Sequence, residues 1–165
     1  MHYTVINIFV NVSFITHQGK MTSKIKVSYE DLQKRCITLA DQIVHSGFKP
    51  DIVVSITRGG LLSAYFLADL IGVKSIEMVN IESKQGGREI QDMTKIIKDF
   101  SQFKVLIVDD LIDSGNTITY IFSNYKFDRP NTKIAVIYLK EGAKIQADFF
   151  VEKITDEWII FPYHR

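Results

Sequence analysis

The chain has 165 residues, of which 46% are hydrophobic and 24% are charged, and a formal net charge of +1. This length fits one domain with a substantial core, and the near-neutral charge excludes a general attraction to nucleic acid or acidic lipid. Cys36 is the only cysteine and the four histidines lack metal-ligand spacing, so we expect no disulfide, no zinc site and a reducing, cytoplasmic compartment.

The chain begins with an apolar run at residues 5–15. The run is too short to span a membrane, and it lacks the basic start and the cleavage site of a secretory signal. It is either an additional strand or arm, or sequence upstream of a true start at Met21. We favour the second interpretation, because the organised pattern begins near Ile25. We therefore divide the chain into an N-terminal extension at residues 1–24 and a single domain at residues 25–165.

A helix followed by a strand opens the organised part. Ser28 and Asp31 resemble a capping box, with Asp in place of the usual Glu, and apolar residues at helical spacing follow them. Gly47 and Pro50 end this predicted helix. The apolar run at residues 52–56 then predicts a buried strand.

Strand-length and helix-length segments continue to alternate after this point. Buried strands are predicted at residues 75–81, 105–108, 134–139 and 149–151, and helices at residues 61–70, 93–97 and 118–122. Residues 82–89 are polar and contain two glycines, which predicts a loop. The alternation predicts an α/β fold with a mostly parallel sheet covered by helices. Ligands bind such folds at the carboxyl ends of the strands, here the loops beginning at Thr57, Asp109 and Lys140.

The segment at residues 105–117 concentrates polar chemistry after an apolar strand. Asp109 and Asp110 follow the strand directly, and Asp113 comes next. An acidic turn that caps a helix would explain any one of these carboxylates, but not the whole set. Carboxylates suit ribose hydroxyls or a bound Mg²⁺, and a helix N-terminus with hydroxyls and a glycine suits a phosphate. The residues of this anion loop are Ser114, Gly115, Asn116 and Thr117.

This segment closely resembles the motif with which type I phosphoribosyltransferases bind 5-phosphoribosyl-1-pyrophosphate (PRPP). The shared pattern is an apolar strand, two acids, two apolar residues, Asp, Ser or Thr, Gly, a small residue and Thr. Asn116 stands where the family usually has glycine. The resemblance covers about residues 25–165. It implies a mostly parallel sheet flanked by helices, with a small hood built from chain-terminal segments.

The resemblance also implies roles outside the motif. Arg58 and Gly59 match the family's pyrophosphate loop, which often follows a non-proline cis peptide, although a solvated turn explains these two residues equally well on their own. Arg can donate two hydrogen bonds to a phosphate, and glycine lets the backbone approach it. The loop at residues 82–89 corresponds to the family's flexible lid, and Arg88 matches a lid arginine that contacts PRPP. Ser83 is not followed by the lid's usual Tyr.

The base-binding end resembles bacterial xanthine-guanine members of the family. By this resemblance Lys140 recognises purine O6, Trp158 stacks on the base, and the backbone of Ile159 meets the 2-substituent. Composition alone would assign Trp158 to a core or an interface. Glu141 replaces the family's proline after the lysine. The sequence does not rank guanine, xanthine and hypoxanthine.

The implied reaction is purine salvage: transfer of 5-phosphoribose from PRPP to a 6-oxopurine, with release of pyrophosphate. Asp113 faces N7 as general acid or base, and Mg²⁺, with Asp110 as its ligand, neutralises the pyrophosphate. We expect a homo-oligomer, either dimer or tetramer, as in the family. We expect no nucleic-acid partner and no stable membrane insertion.

Two other functions fit part of the pattern. A regulator with the same fold would bind PRPP, nucleotide or RNA without catalysis. The lack of a Lys/Arg stripe and the presence of Arg58, Asp113 and Lys140 argue against it. A flavodoxin-like receiver domain would use the acidic cluster for Mg²⁺, but it would leave the anion loop and Trp158 unexplained.

Overall fold

The computed structural model describes residues 12–17, 20–84, 89–94 and 99–163. The strands are β1 (Val12–His17), β2 (Lys20–Lys26), β3 (Ile52–Thr57), β4 (Ile76–Lys84), β5 (Glu89–Asp92), β6 (Val105–Ile112), β7 (Thr132–Lys140), β8 (Phe149–Ile154) and β9 (Trp158–Ile160). The helices are α1 (Tyr29–His45), α2 (Gly60–Ile71) and α3 (Asn116–Asn124), with a 3-10 turn at Arg129–Asn131. No helix in these ranges is long and apolar enough to cross a membrane.

The central sheet has six strands in the order β5-β4-β3-β6-β7-β8. Strands β4, β3, β6, β7 and β8 pair in parallel, and β5 is antiparallel at the edge. This arrangement confirms the predicted, mostly parallel α/β sheet. The carboxyl ends of β3, β6 and β7 lie side by side at one edge, so the loops that follow them converge.

The two faces of this sheet carry separate cores. Leu106 and Val108 of β6 pack with residues of α1 and α2, whereas Val105 and Ile107 pack with residues of α3. All four are fully buried, as a strand covered by helices on both faces requires. Cys36 lies in the first core, where burial raises the pKa of its thiol to about 11.

A second, smaller sheet joins the two ends of the chain. Its order is β1-β2-β9, with β1 antiparallel to β2 and β9 parallel to β2. Ile25 of β2 pairs with Ile159 of β9, and both side chains are buried in the core shared with α1. The predicted hood of chain-terminal segments is therefore present.

The acidic segment differs from its prediction. A loop was expected from Asp109 onward, but β6 continues to Ile112. The neighbouring strand β7 extends equally far and supplies partners, since Leu111 pairs with Tyr138 and Ile112 pairs with Leu139. The first carboxylates of the motif therefore project from a strand end, and the irregular loop begins only after them.

The loop predicted at residues 82–89 is shorter than expected. Strand β4 continues to Lys84, β5 begins at Glu89, and the two strands pair antiparallel. The segment lacks an apolar pattern because Glu82 and Ser83 are exposed and bury no face. Arg88 lies outside the described residues.

Two other predictions lie only partly within the described residues. The helix predicted at residues 93–97 is wrong at its first two residues, which instead hydrogen-bond to Asn80 of β4 through backbone groups and the Thr94 hydroxyl. The apolar run at residues 5–15 ends within β1. The domain boundary at residue 24 stays a prediction, and that residue lies within β2.

The predicted capping box begins α1. Ser28 Oγ accepts a hydrogen bond from the Asp31 amide at 3.1 Å, and the Ser28 amide donates to Asp31 Oδ2 at 3.1 Å. The Ser28 hydroxyl also donates to Asp31 Oδ2 at 2.6 Å. These bonds lower the pKa of Asp31 because they favour its charged form.

Ser28→Ala is expected to lower the free energy of unfolding by about 1 kcal/mol at neutral pH. A group with a lowered folded-state pKa contributes stability above its ordinary pKa and loses it as pH falls. The difference between wild type and variant should therefore narrow below about pH 4. Urea unfolding at several pH values checks this, with Thr38→Ala as the control, since Thr38 lies exposed within the same helix. Equal losses of unfolding free energy in Ser28→Ala and Thr38→Ala would contradict the capping role of Ser28.

Candidate functional site

The loops after β3, β6 and β7 surround a cavity of about 530 Å³, and β9 of the small sheet also lines it. Every predicted site residue within the described ranges lines it: Arg58, Gly59, Asp109, Asp110, Asp113, Ser114, Gly115, Asn116, Thr117, Lys140, Trp158 and Ile159. Residues more than 100 positions apart in sequence are thus brought into one concave site. The position of the predicted lid residue, Arg88, is not described.

One wall of the cavity is the turn between β3 and α2. The Thr57–Arg58 peptide bond is cis. A Cβ atom added to Gly59 would lie 2.6 Å from both carboxylate oxygens of Asp110, and one added to Gly60 would collide with the Val108 carbonyl oxygen. Glycine is therefore required at position 60, where the added atom would clash with backbone, whereas at position 59 it would meet only the Asp110 side chain. The turn places the backbone beside Arg58 against the acidic strand end.

The two adjacent carboxylates occupy different environments. Burial, and then the neighbouring charge of Asp110, raise the pKa of Asp109 well above its usual value. The Asp110 amide donates to Asp109 Oδ1 at 2.9 Å, which partly offsets this effect. Asp110 Oδ2 accepts a hydrogen bond from the Tyr163 hydroxyl at 2.7 Å. The pair thus presents one carboxyl with a suppressed charge beside one stabilised by a donor.

The anion loop has the geometry of a helix N-terminus. Gly115 is the N-cap of α3 with φ of 84°, a left-handed conformation that favours glycine. A Cβ atom there would lie 3.0 Å from the Ile145 amide nitrogen, so the loop is also tightly packed from behind. The Lys144 amide donates to the Ser114 carbonyl oxygen at 3.0 Å. The first turn of α3 therefore faces the cavity with amide donors suited to an anion.

The position at which the chain departs from the family motif has a partner of its own. Asn116 Oδ1 accepts a hydrogen bond from Lys144 Nζ at 3.2 Å. The backbone amide nitrogen of Asn116 lies 3.4 Å from Ser114 Oγ. Asparagine at this position therefore fixes a cation beside the anion loop, which glycine would not do.

Another part of the cavity lining combines a cation, a carboxylate and an aromatic ring. Lys140 Nζ lies 2.9 Å from Asp113 Oδ1, and the two side chains are 21% and 58% exposed. Trp158 is 61% exposed on β9, whereas Ile159 is buried beside it. An exposed tryptophan on a strand that lines a cavity offers its face to a planar ligand.

Sequence reasoning missed the contribution of Tyr163. No role was assigned to this residue from the sequence. Its partner Asp110 lies 53 positions away in sequence. No local spacing links the two residues, so only the fold reveals the contact.

Comparison with known proteins gives one consistent result. A family model described as "Phosphoribosyl transferase domain" matches residues 28–164. Xanthine-guanine phosphoribosyltransferase of Chromohalobacter salexigens is 33% identical over 142 residues, which cover 83% of this chain and 82% of the relative. Among solved structures, purine phosphoribosyltransferase from Pyrococcus horikoshii matches with a TM-score of 0.72 and 25% identity, covering 86% of this chain and 94% of that one. Xanthine-guanine-hypoxanthine phosphoribosyltransferase of Helicobacter pylori matches with a TM-score of 0.62 and 27% identity, over 82% and 88% of the two chains.

Proposed function

The chain belongs to the phosphoribosyl transferase domain family, and from this premise we propose that it transfers 5-phosphoribose from PRPP to a 6-oxopurine in cytoplasmic purine salvage. The observation that carries the proposal is the shared cavity: the PRPP motif at residues 109–117 and the base-binding candidates Lys140 and Trp158 line the same space. A site that binds only a sugar phosphate would not need the base-binding candidates Lys140 and Trp158.

PRPP would lie across the strand ends in an extended pose. The anion loop at residues 114–117 would donate amide and hydroxyl hydrogen bonds to the 5-phosphate. Asp109 and Asp110 would accept hydrogen bonds from the ribose hydroxyls, and Arg58 with the Gly59 backbone would bind the pyrophosphate. Arg88 remains a predicted contact from the lid.

The donor set also fits Mg²⁺. The described residues contain no group of three or more His, Cys, Asp or Glu side chains that would hold a metal by themselves. Mg²⁺ usually binds through one or two carboxylates together with substrate phosphates, and Asp110 supplies a carboxylate of that kind. The ion would neutralise charge on the departing pyrophosphate.

The ion pair between Lys140 and Asp113 suggests how a base is received. An arriving 6-oxopurine offers its O6 to the Lys140 ammonium and its N7 to Asp113, so contacts with the base replace the ion pair. Asp113 then acts as general acid or base at N7 while N9 attacks C1 of the ribose. The remaining contribution of the protein is positioning, which holds the two reactants in line.

The test of the proposed function is an assay with PRPP, Mg²⁺ and, in turn, guanine, xanthine, hypoxanthine and adenine. We expect nucleotide and pyrophosphate to form in equal amounts from at least one 6-oxopurine, and turnover with adenine to be far slower. Tight PRPP binding without turnover of any base would overturn the proposal and favour a regulator. Light scattering of the same sample tests the predicted dimer or tetramer.

Trp158→Leu is expected to raise the KM for the purine base about tenfold, because base stacking on an aromatic ring is lost. The KM for PRPP should stay near the wild-type value. Tyr29→Leu is the matched control, since Tyr29 is 59% exposed, close to the 61% of Trp158, but lies on α1. Steady-state kinetics with each substrate varied in turn decide the result. An unchanged KM for the base would remove Trp158 from the base site.

A further inference from the structure

The C-terminal segment after β9 reaches back to the acidic end of β6. We propose that Tyr163 is a positioning residue that holds the Asp110 carboxylate in the orientation that receives PRPP. The inference rests on the proposed function, because it assigns a task within the same site. The residue acts on the substrate through Asp110 and is distinct from the groups placed around PRPP above.

The hydroxyl group of Tyr163 is itself held in place by packing. It donates to Asp110 Oδ2 at 2.7 Å, and its ring stacks on Phe161 with centroids 5.4 Å apart and planes inclined by 7°. Phe161 is only 1% exposed and meets Tyr138 edge to face at 5.9 Å. The hydroxyl donor is therefore held in position by packing of the Tyr163 ring against the buried core.

The Asp110 carboxylate also lies against the turn after β3. The space that a side chain at position 59 would fill is taken by the Asp110 carboxylate, only 2.6 Å from the ideal Cβ position of Gly59. Gly59 thus leaves room for the orientation of the Asp110 carboxylate that Tyr163 holds by a hydrogen bond. Gly59 and Tyr163 also line a second cavity, to which Arg58 contributes as well.

The rotational freedom of a carboxylate explains why such a donor is useful. An aspartate side chain has several accessible rotamers, and the torsion that turns its carboxylate is broad. The hydrogen bond from the Tyr163 hydroxyl to Asp110 Oδ2 favours one orientation, since hydrogen bonds to a carboxylate are stronger than those between neutral groups.

The test replaces only the hydroxyl group. Tyr163→Phe keeps the stack on Phe161 and is expected to raise the KM for PRPP about fivefold while kcat changes less than about twofold and the KM for the base is unchanged. Tyr125→Phe is the matched control, because Tyr125 donates to Asp92 Oδ2 at 2.8 Å, a bond of the same type outside the cavity. We expect wild-type kinetics for the control. An unchanged KM for PRPP in Tyr163→Phe would overturn the inference.

A second measurement separates failure of this inference from failure of the proposed function. Wild-type protein that turns over no purine base would refute the proposed function. Urea unfolding of Tyr163→Phe, Asp110→Asn and the double variant decides the contact independently of activity. If the double variant loses less unfolding free energy than the two single variants together, the side chains are coupled as proposed. Strictly additive losses of unfolding free energy would contradict the coupling, independently of the activity measurements.

Discussion

Asp113→Asn is expected to lower kcat about 100-fold or more, within the range that general acid–base catalysis contributes, while the KM for PRPP stays within about threefold of wild type. The amide keeps the size of the side chain but neither carries the charge nor exchanges a proton with N7. Asp113 Oδ1 lies 2.9 Å from the Nζ atom of Lys140, the proposed contact of purine O6. PRPP binding should therefore survive the loss of chemistry.

The measurement is steady-state kinetics with calorimetric titration of PRPP. The control is Asp41→Asn, which removes the same charge from an exposed position on α1. Asp113→Asn also removes the ion pair with Lys140, but both side chains are partly exposed, so the free energy of unfolding should change by less than about 1 kcal/mol. Full turnover in Asp113→Asn would exclude this residue as the general acid or base.

Gly59→Ala is expected to lower kcat/KM for PRPP about 10- to 100-fold with little change in stability. The backbone at Gly59 has φ of −56° and ψ of −49°, which alanine adopts without strain. The new methyl group would instead meet the Asp110 carboxylate. That flexible side chain can move aside, so the fold tolerates the change while the PRPP site loses a correctly placed carboxylate.

The opposite behaviour is expected at Gly72, the C-cap of α2. Its φ is 75° and a Cβ atom would meet nothing within 4 Å. Gly72→Ala should therefore cost about 1 kcal/mol of stability through backbone strain and leave kcat/KM unchanged. Thermal unfolding and PRPP kinetics on both variants separate the two effects. Equal loss of stability in the two variants would show that glycine at position 59 is required for the backbone conformation and not for the space beside the Asp110 carboxylate.

Local sequence patterns predicted the parts of the site that are contiguous in the chain. The acidic and anion-loop residues at 109–117 are contiguous, so they could be compared as one stretch with the PRPP motif of a known family. Repeated apolar runs separated by helix-length segments predicted the parallel sheet, because a buried strand needs apolar residues on both faces. The capping box at Ser28 marked the start of α1 because its atoms interact within one helical turn, so the interacting residues are close in sequence.

Features that depend on pairing between distant segments were beyond this reasoning. The extension of β6 to Ile112 follows from the length of β7, which the sequence of β6 does not encode. The hairpin of β4 and β5 is polar on its exposed faces and therefore resembled a loop. The contact of Tyr163 with Asp110 requires the path of the whole C-terminal segment. Family resemblance, and no local pattern, predicted the hood formed by β2 and β9.

The burial of Cys36 determines how the protein can be labelled. The chain has one cysteine, and this residue is fully buried with a thiol pKa raised to about 11. A thiolate is the species that maleimides attack, so the native protein should remain unmodified at neutral pH. A single cysteine introduced at an exposed position beside the cavity, such as Ser83→Cys, would then be the sole site of attachment for a fluorophore. Substrate arrival could be followed by fluorescence without first removing a native thiol.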